Sequence, residues 1–299
     1  MKIRDLIAAI AFAAALPALS QQDFSKVEIR TTKLGESTYM MEGAGGNLGL
    51  SIGEDAVFLI DDQFAPLTER IQAAISKLTA KPVRFVLNTH WHGDHTGGNE
   101  NFGKSGAIVV AHENVRSRMS TEQFIELMKM TEKASPKGAL PIVTFASSVT
   151  FHLNGDEIRV FHVPKAHTDG DAIVHFVKSD VVHMGDVYFN GMYPFIDTSS
   201  GGSIRGVISA CDRALAIVGD ATKIIPGHGP LSNKAELKAY RDMLAGVAER
   251  IGKLVAEGRK AEDIVAANPT AEFDGKWGAG FMKPPRFVQM VVMDLQRNR

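Results

Sequence analysis

The chain has 299 residues, 33 of them lysine or arginine and 34 aspartate or glutamate, for a formal net charge of −1, and 44% are hydrophobic. No basic cluster interleaved with aromatics occurs, so the composition excludes an electrostatic nucleic-acid footprint and announces no basic cleft for an anionic ligand. A single cysteine, Cys211, excludes internal disulfides; the core must hold the fold, and the length suits one large α/β domain or a domain with an appendage.

At the N-terminus Lys2 and Arg4 precede an apolar run over residues 6–18, which contains Pro17 and leads through Ala18-Leu19-Ser20 to Gln21. The run is shorter than the ~20 apolar residues of a membrane span and has the layout of a cleaved leader. Residues 1–20 are therefore expected to be a signal peptide, cleaved near Ser20-Gln21. The remainder would be periplasmic or secreted, with no membrane anchor.

Residues 38–41, 47–52 and 56–61 are short runs rich in branched or aromatic side chains, separated by glycines and by Gly53-Glu54-Asp55, and read as an antiparallel meander. Ile71, Ala74, Ile75 and Leu78 recur at helical spacing within 67–80, and Pro82 closes that helix. A strand over 83–88 then delivers the chain into Thr89-His90-Trp91-His92-Gly93-Asp94-His95. A strand at 108–111 and a helix from 113 to 118 follow; 121–133 reads as a further amphipathic helix, and 134–140, with Pro136 and Gly138, as a mobile loop. Strands are expected at 142–145, 149–153, 157–163, 172–177 and 181–184, a helix over 203–218, a strand at 223–225, and helices from Lys234 onward. Two strand-rich halves, each with helices, pack best as two sheets face to face with helices outside. No repeat or low-complexity tract interrupts them.

The chemistry concentrates at residues 90–95. His90, His92, Asp94 and His95 stand on a glycine-broken turn straight after a buried strand, where they would be a costly polar knot without a partner. A divalent metal ion is such a partner. In extended chain, residues i and i+2 point the same way, so His90 and His92 can close on one ion, and the turn at Gly93 lets Asp94 and His95 face a second. Zinc takes four ligands in tetrahedral array, so two ions need more donors than this stretch supplies. Three later motifs offer metal-ready residues at strand-to-loop junctions: His167 in Ala166-His167-Thr168-Asp169-Gly170-Asp171, Asp186 in His183-Met184-Gly185-Asp186, and His228 in Pro226-Gly227-His228-Gly229-Pro230.

Taken together and in that order, these residues resemble the metallo-β-lactamase superfamily over roughly residues 30–233. The resemblance implies an α/β fold, the αββα four-layer sandwich with a dinuclear site along one edge. Residues 21–233 would form the catalytic domain, and 234–299 a C-terminal helical region packed on the same domain. Position by position it implies that His90, His92 and His167 hold a first zinc ion, that Asp94, His95 and His228 hold a second, and that Asp186 bridges them. Asp61, at the end of Leu59-Ile60-Asp61, matches an outer carboxylate that would orient a ligand imidazole, with turn capping as the alternative. Trp91 would line the cleft or fill space beneath it, and Asn190, Met192 and Tyr193 would contact substrate. His112, His152, His162, His175 and His183 read as packed or surface residues, and Cys211 as a small buried one.

What the resemblance implies chemically is an exported zinc-dependent hydrolase of a small molecule, using a metal-bridging hydroxide on an amide or ester carbonyl. Asp94 would orient the nucleophile and relay its proton. β-Lactam ring opening is the leading substrate expectation, since export places a protein where β-lactams act. The alternatives are a lactonase or thioesterase of the same superfamily, or a non-catalytic zinc-binding protein. Asp186 favours the lactonase and glyoxalase II-like set, because the best-known β-lactamase subclass has cysteine there and a lysine three residues later, where this chain has Phe189. A two-iron redox role would call for a flavin domain that the chain has no room for.

Overall fold

In a computed structural model, residues 23–297 are described; the expected leader at 1–20 lies outside them. The chain opens with β1 (Arg30–Lys33), β2 (Thr38–Glu42), β3 (Leu48–Ile52) and β4 (Val57–Ile60), paired antiparallel in sequence. Helix α1 (Thr68–Ser76) returns the chain to β5 (Val83–Leu87), parallel to β4. The short α2 (Gly93–Thr96) and α3 (Asn99–Lys104) lead to β6 (Ile108–His112), parallel to β5. After α4 (Glu113–Met119) comes a separate hairpin, β7 (Gln123–Ile125) and β8 (Met130–Glu132), and then β9 (Val143–Phe145) completes a seven-stranded sheet beside β6.

The second sheet is the meander β10 (Ser148–Leu153), β11 (Asp156–His162), β12 (Ala172–Phe176) and β13 (Val181–His183), joined in parallel by β14 (Lys223–Ile225) after helix α5 (Ile204–Leu215). Helices α6 (Lys234–Ala256), α7 (Ala261–Ala266), α8 (Ala271–Trp277) and α9 (Pro284–Arg297) close the described chain. Asn154-Gly155 turns β10 into β11 with both residues at positive φ, 55° and 74°, the conformation that suits the twist of a two-residue hairpin. The Asn154 side chain also reaches across to the first sheet, donating to Ser51 Oγ and to the carbonyl of Ala56.

Strand β4 explains the layering. All four of its residues, Val57-Phe58-Leu59-Ile60, are buried, and successive strand residues point to opposite faces. Phe58 and Ile60 meet Ile158, Val160, Val174 and Phe176 of the second sheet, whereas Val57 and Leu59 meet Ile71 and Ile75 of α1 and Phe102 of α3. The outer face of the second sheet packs on α5, α6 and α9 through Val207, Cys211, Leu244, Val247 and Val291. The order is thus helix, sheet, sheet, helix, the α/β sandwich expected, with the C-terminal helices sharing the core of the second half.

Two expectations are corrected. Residues 121–133 form the β7–β8 hairpin and its turn instead of a helix. α4 stops at the Ser120 cap, Lys129 takes a left-handed φ of 51° to close the turn, and tertiary contacts override local propensity: Ile125 inserts into the core while its neighbour Phe124 stays 57% exposed. The 134–140 segment is a loop, as expected, with a single 3-10 turn at Lys137–Ala139; Ser135 N–H donates to the Met119 carbonyl and the Asn99 amide to the carbonyl of buried Ala139. Helix α1 is also shorter than 67–80. Strand β1 was not foreseen, because its polar Arg-Thr-Thr-Lys sequence lies at a sheet edge and shows no apolar alternation.

Candidate metal centre

Every candidate ligand stands where a strand has just ended. β5 delivers His90 and His92 in extended chain, and His92 then caps α2, whose single turn carries Asp94 and His95. His167 lies between β11 and β12, Asp186 just past β13, and His228 just past β14. At two points the backbone beside them leaves room for nothing larger than glycine: a Cβ on Gly46 would stand 2.0 Å from the His95 ring, and one on Gly227 2.0 Å from Asp186 Oδ1.

These turns bring the seven residues into two groups, His90, His92, His167 and Asp186 in one, and Asp94, His95 and His228 in the other. Asp186 lies between them. Its Oδ2 is 3.8 Å from His90 Nε2 and 3.6 Å from His167 Nε2, while its Oδ1 is 3.1 Å from His95 Nε2 and 3.4 Å from His228 Nε2. Asp94 Oδ2 completes the second group at 3.6 Å from His95 Nε2 and 3.3 Å from His228 Nε2. Tetrahedral bonds of ~2.1 Å to zinc separate neighbouring donors by roughly 3.4 Å, so both groups have the edge lengths of an ion's coordination shell. His90 Nε2 and Asp186 Oδ1 are buried without an aligned hydrogen-bond partner, a state that costs free energy unless a cation takes up their lone pairs. The donor set, imidazole and carboxylate, suits zinc.

Outer partners fix which nitrogen of each ring faces inward. His95 Nδ1–H donates to Asp61 Oδ2 at 2.7 Å, and His90 Nδ1–H donates to Thr89 Oγ1, whose own hydroxyl donates to Asp61 Oδ2. His167 Nδ1–H donates to the Phe195 carbonyl at 2.8 Å, and His92 Nε2–H to Asp197 Oδ2 at 3.2 Å. Three rings thereby turn Nε2 inward and His92 turns Nδ1, which lies 2.8 Å from His167 Nε2. Asp61 combines the two roles weighed for it: it orients an imidazole and accepts the Thr89 backbone N–H, at a left-handed φ of 58°.

Without a cation, protons must do part of its work. Burial lowers His90 well below the ordinary imidazole range and takes His167 down to about 4, so both stay neutral. Burial acts the same way on His95 and His228, but the carboxylates of Asp186 and Asp94 outweigh it, raising His95 well above its ordinary value and His228 to about 9. Asp94 is held down to about 2, because His95 and His228 outweigh its desolvation. Cation binding at the second group is therefore an exchange of metal for protons.

Over this floor lies a cavity of about 680 Å³. His92, Asp94, Asp186 and His228 line its base; Phe64, Phe189, Phe195, Phe281, Ile125, Met128 and Met130 form apolar walls, and Glu132 adds one further charge. The substrate contacts expected from sequence lie elsewhere. Tyr193 is fully buried, its hydroxyl on Asp274 Oδ1 and its ring stacked on Phe287, so it ties the core to the C-terminal helices. Asn190 braces the His228 turn, its backbone N–H donating to the His228 carbonyl and its amide to the Pro230 carbonyl. Trp91, 5% exposed and 4.6 Å from the His92 ring, fills space beneath the site, and Met192 packs on the core.

Sequence reasoning missed Asp197 and the cavity walls. Asp197 accepts from the Ser199 and Ser200 backbone amides, so its Asp-Thr-Ser-Ser signature reads as a turn cap and conceals the contact with His92. The other five histidines are packed or surface residues, as expected: His112 and His162 stack at 3.8 Å, His183 donates to the Asn47 carbonyl, His175 is partly buried and His152 exposed.

Known proteins resemble this chain in sequence and in fold. The chain is 22% identical over 178 residues to the metallo-beta-lactamase type 2 of Bacillus cereus, covering 60% of this chain and 64% of that protein. It is 25% identical over 134 residues to the hydroxyacylglutathione hydrolase of Pelagibacter ubique, covering 41% of this chain and 48% of that protein. The match thus spans less than two thirds of either relative. In fold, the metallo-beta-lactamase from Pontibacter korlensis superimposes with a TM-score of 0.60 at 21% identity, over 73% of this chain and 99% of that one. The family description of the metallo-beta-lactamase superfamily matches residues 45–244. Since that span holds every strand end and turn on which the two donor groups meet, the chain belongs to the metallo-beta-lactamase superfamily.

Proposed function

We propose that the protein is an exported zinc-dependent hydrolase that acts on an amide or ester carbonyl, with β-lactam ring opening as its leading reaction. The observation that carries the hydrolase reading is Asp186, which presents one carboxylate oxygen to each donor group. Two divalent cations held there would polarise a carbonyl and bring the pKa of a water from 15.7 towards 7. The chain's own residues do the rest. Asp94, 27% exposed and open to the cavity, is placed to take and return a proton near the scissile bond. Asp61, Asp197 and the Phe195 carbonyl keep the imidazoles in the tautomers that binding needs.

A second reading, lactone or thioester hydrolysis, is favoured by one observation: no lysine or arginine lines the cavity, and Phe189 stacks on His228 where a β-lactam carboxylate would want a cation. Zinc-loaded protein tested on a chromogenic cephalosporin, a homoserine lactone and a glutathione thioester separates the two. Turnover of the cephalosporin supports the first reading; turnover of the lactone or thioester alone replaces it with the second; cleavage of none removes the hydrolase assignment. Asp94→Ala is expected to remain folded and lose about 10²–10⁴ in kcat/KM. Undiminished turnover would remove Asp94 from the mechanism.

Export rests on the leader-like residues 1–20; among the described residues no helix is long and apolar enough to cross a membrane. Mass spectrometry of the periplasmic fraction is expected to find a chain starting near Gln21. A cytosolic protein that keeps Met1 would sink the proposal.

A further inference from the structure

The cavity walls carry information beyond the reaction type. Four phenylalanines and three aliphatic or thioether side chains surround the floor, and no lysine or arginine joins them. Glu132 is the only charged residue in the lining that does not belong to the two donor groups. It sits on β8, in register with Gln123, and is partly buried; among the described residues its carboxylate has no ion pair and no side-chain hydrogen bond. Its place in the hairpin is held: Arg286 donates to the Leu127 carbonyl, Ser199 Oγ accepts from the Glu126 backbone N–H, and Ile125 is sunk in the core. An unpaired carboxylate on a fixed apolar wall acts on whatever part of a ligand lies against that wall, with less screening than on an open surface.

We propose that Glu132 sorts substrates by the charge of their apolar arm, favouring an arm that bears an ammonium group and repelling one that bears a carboxylate. The proposal rests on the acyl-hydrolase reading only in calling the ligand a substrate. Met130 and Glu132 stand two residues apart on β8 and so share a side, and Ile125 pairs with Met130, so an arm lying against these two apolar residues is the part that Glu132 meets. An aromatic arm fits these walls through ring contacts and thioether packing, and its substituent then decides the electrostatic sign.

The test uses zinc-loaded full-length protein and three penicillins that share a phenylacetyl-type arm: benzylpenicillin (uncharged arm), ampicillin (ammonium) and carbenicillin (carboxylate). Aryl esters with the same three arms form a parallel series. Wild type is expected to prefer ammonium over carboxylate arms by about tenfold in kcat/KM, one favourable and one unfavourable charge contact of ordinary partly exposed strength. Glu132→Gln is expected to erase that ratio and Glu132→Lys to invert it. A binding arm needs no turnover: titration with benzyltrimethylammonium and with benzenesulfonate is expected to show the first weakened and the second strengthened in Glu132→Lys. Should the esters keep the order while no penicillin is opened, the β-lactam reading falls and charge sorting stands. Ratios and probe affinities that stay within about twofold of wild type in both variants overturn charge sorting, whatever the protein cleaves.

Discussion

At the residue scale, the seven donors were legible because each follows the end of a strand in a turn segment, and His92, Asp94, Asp186 and His228 each adjoin a glycine, so short-range sequence already points to a bent backbone presenting polar side chains. The residues that tune them were not legible. Asp197 lies 105 positions from His92, and only the packing of its loop against the cluster turns a capping carboxylate into an imidazole partner. Its contribution can be measured. Asp197→Asn keeps the shape but loses the charge that orients His92 Nε2–H, and is expected to weaken zinc binding by about 10–100-fold in competition with a chromophoric chelator. An affinity equal to wild type would reduce Asp197 to its capping role.

At the element scale, strands with buried faces were easy to place. β4 and β5 carry near-continuous apolar runs, the mark of parallel strands covered on both sides. The β7–β8 hairpin was missed because Phe124, Leu127 and Met128 fall at helical spacing, whereas the actual conformation is set by partners far along the chain. One of those partners, Arg286 of α9, donates to the Leu127 carbonyl and lies against Met128 Sδ. Removing it is a local cut in the cavity wall. Arg286→Ala is expected to destabilise the fold by only about 1 kcal/mol, to raise KM severalfold, and to leave kcat within about twofold, because the floor of the site is untouched. A fall in kcat with KM unchanged would contradict this assignment of the hairpin.

At the scale of the whole molecule, a cation bound at the donor groups would be coupled to folding. In the metal-free protein His228 keeps its proton up to about pH 9, against 6.5 when unperturbed. That contribution to stability is complete below pH 6.5 and is lost as pH rises through about 9. Chelator-treated protein should therefore show a thermal midpoint that falls over this range. Zinc-loaded protein does not depend on that proton, and zinc at a hundred times its dissociation constant adds about 2.7 kcal/mol. The gap between the two midpoints is expected to widen from pH 6.5 to 9 in calorimetric scans; a gap that stays constant would refute the exchange of proton for metal.

The cavity draws its base and part of its wall from different stretches of chain. His92, Asp94, Asp186 and His228 fall within the span shared with the superfamily, whereas Phe281 and the Arg286 that steadies the hairpin fall beyond it. Exchanging residues after 244 between relatives would recut one side of the cavity, at Phe281 and at the Arg286 anchor of the hairpin, and leave the donor groups intact, so the tail of this chain is one place to look when two such proteins share ligands and differ in what they admit.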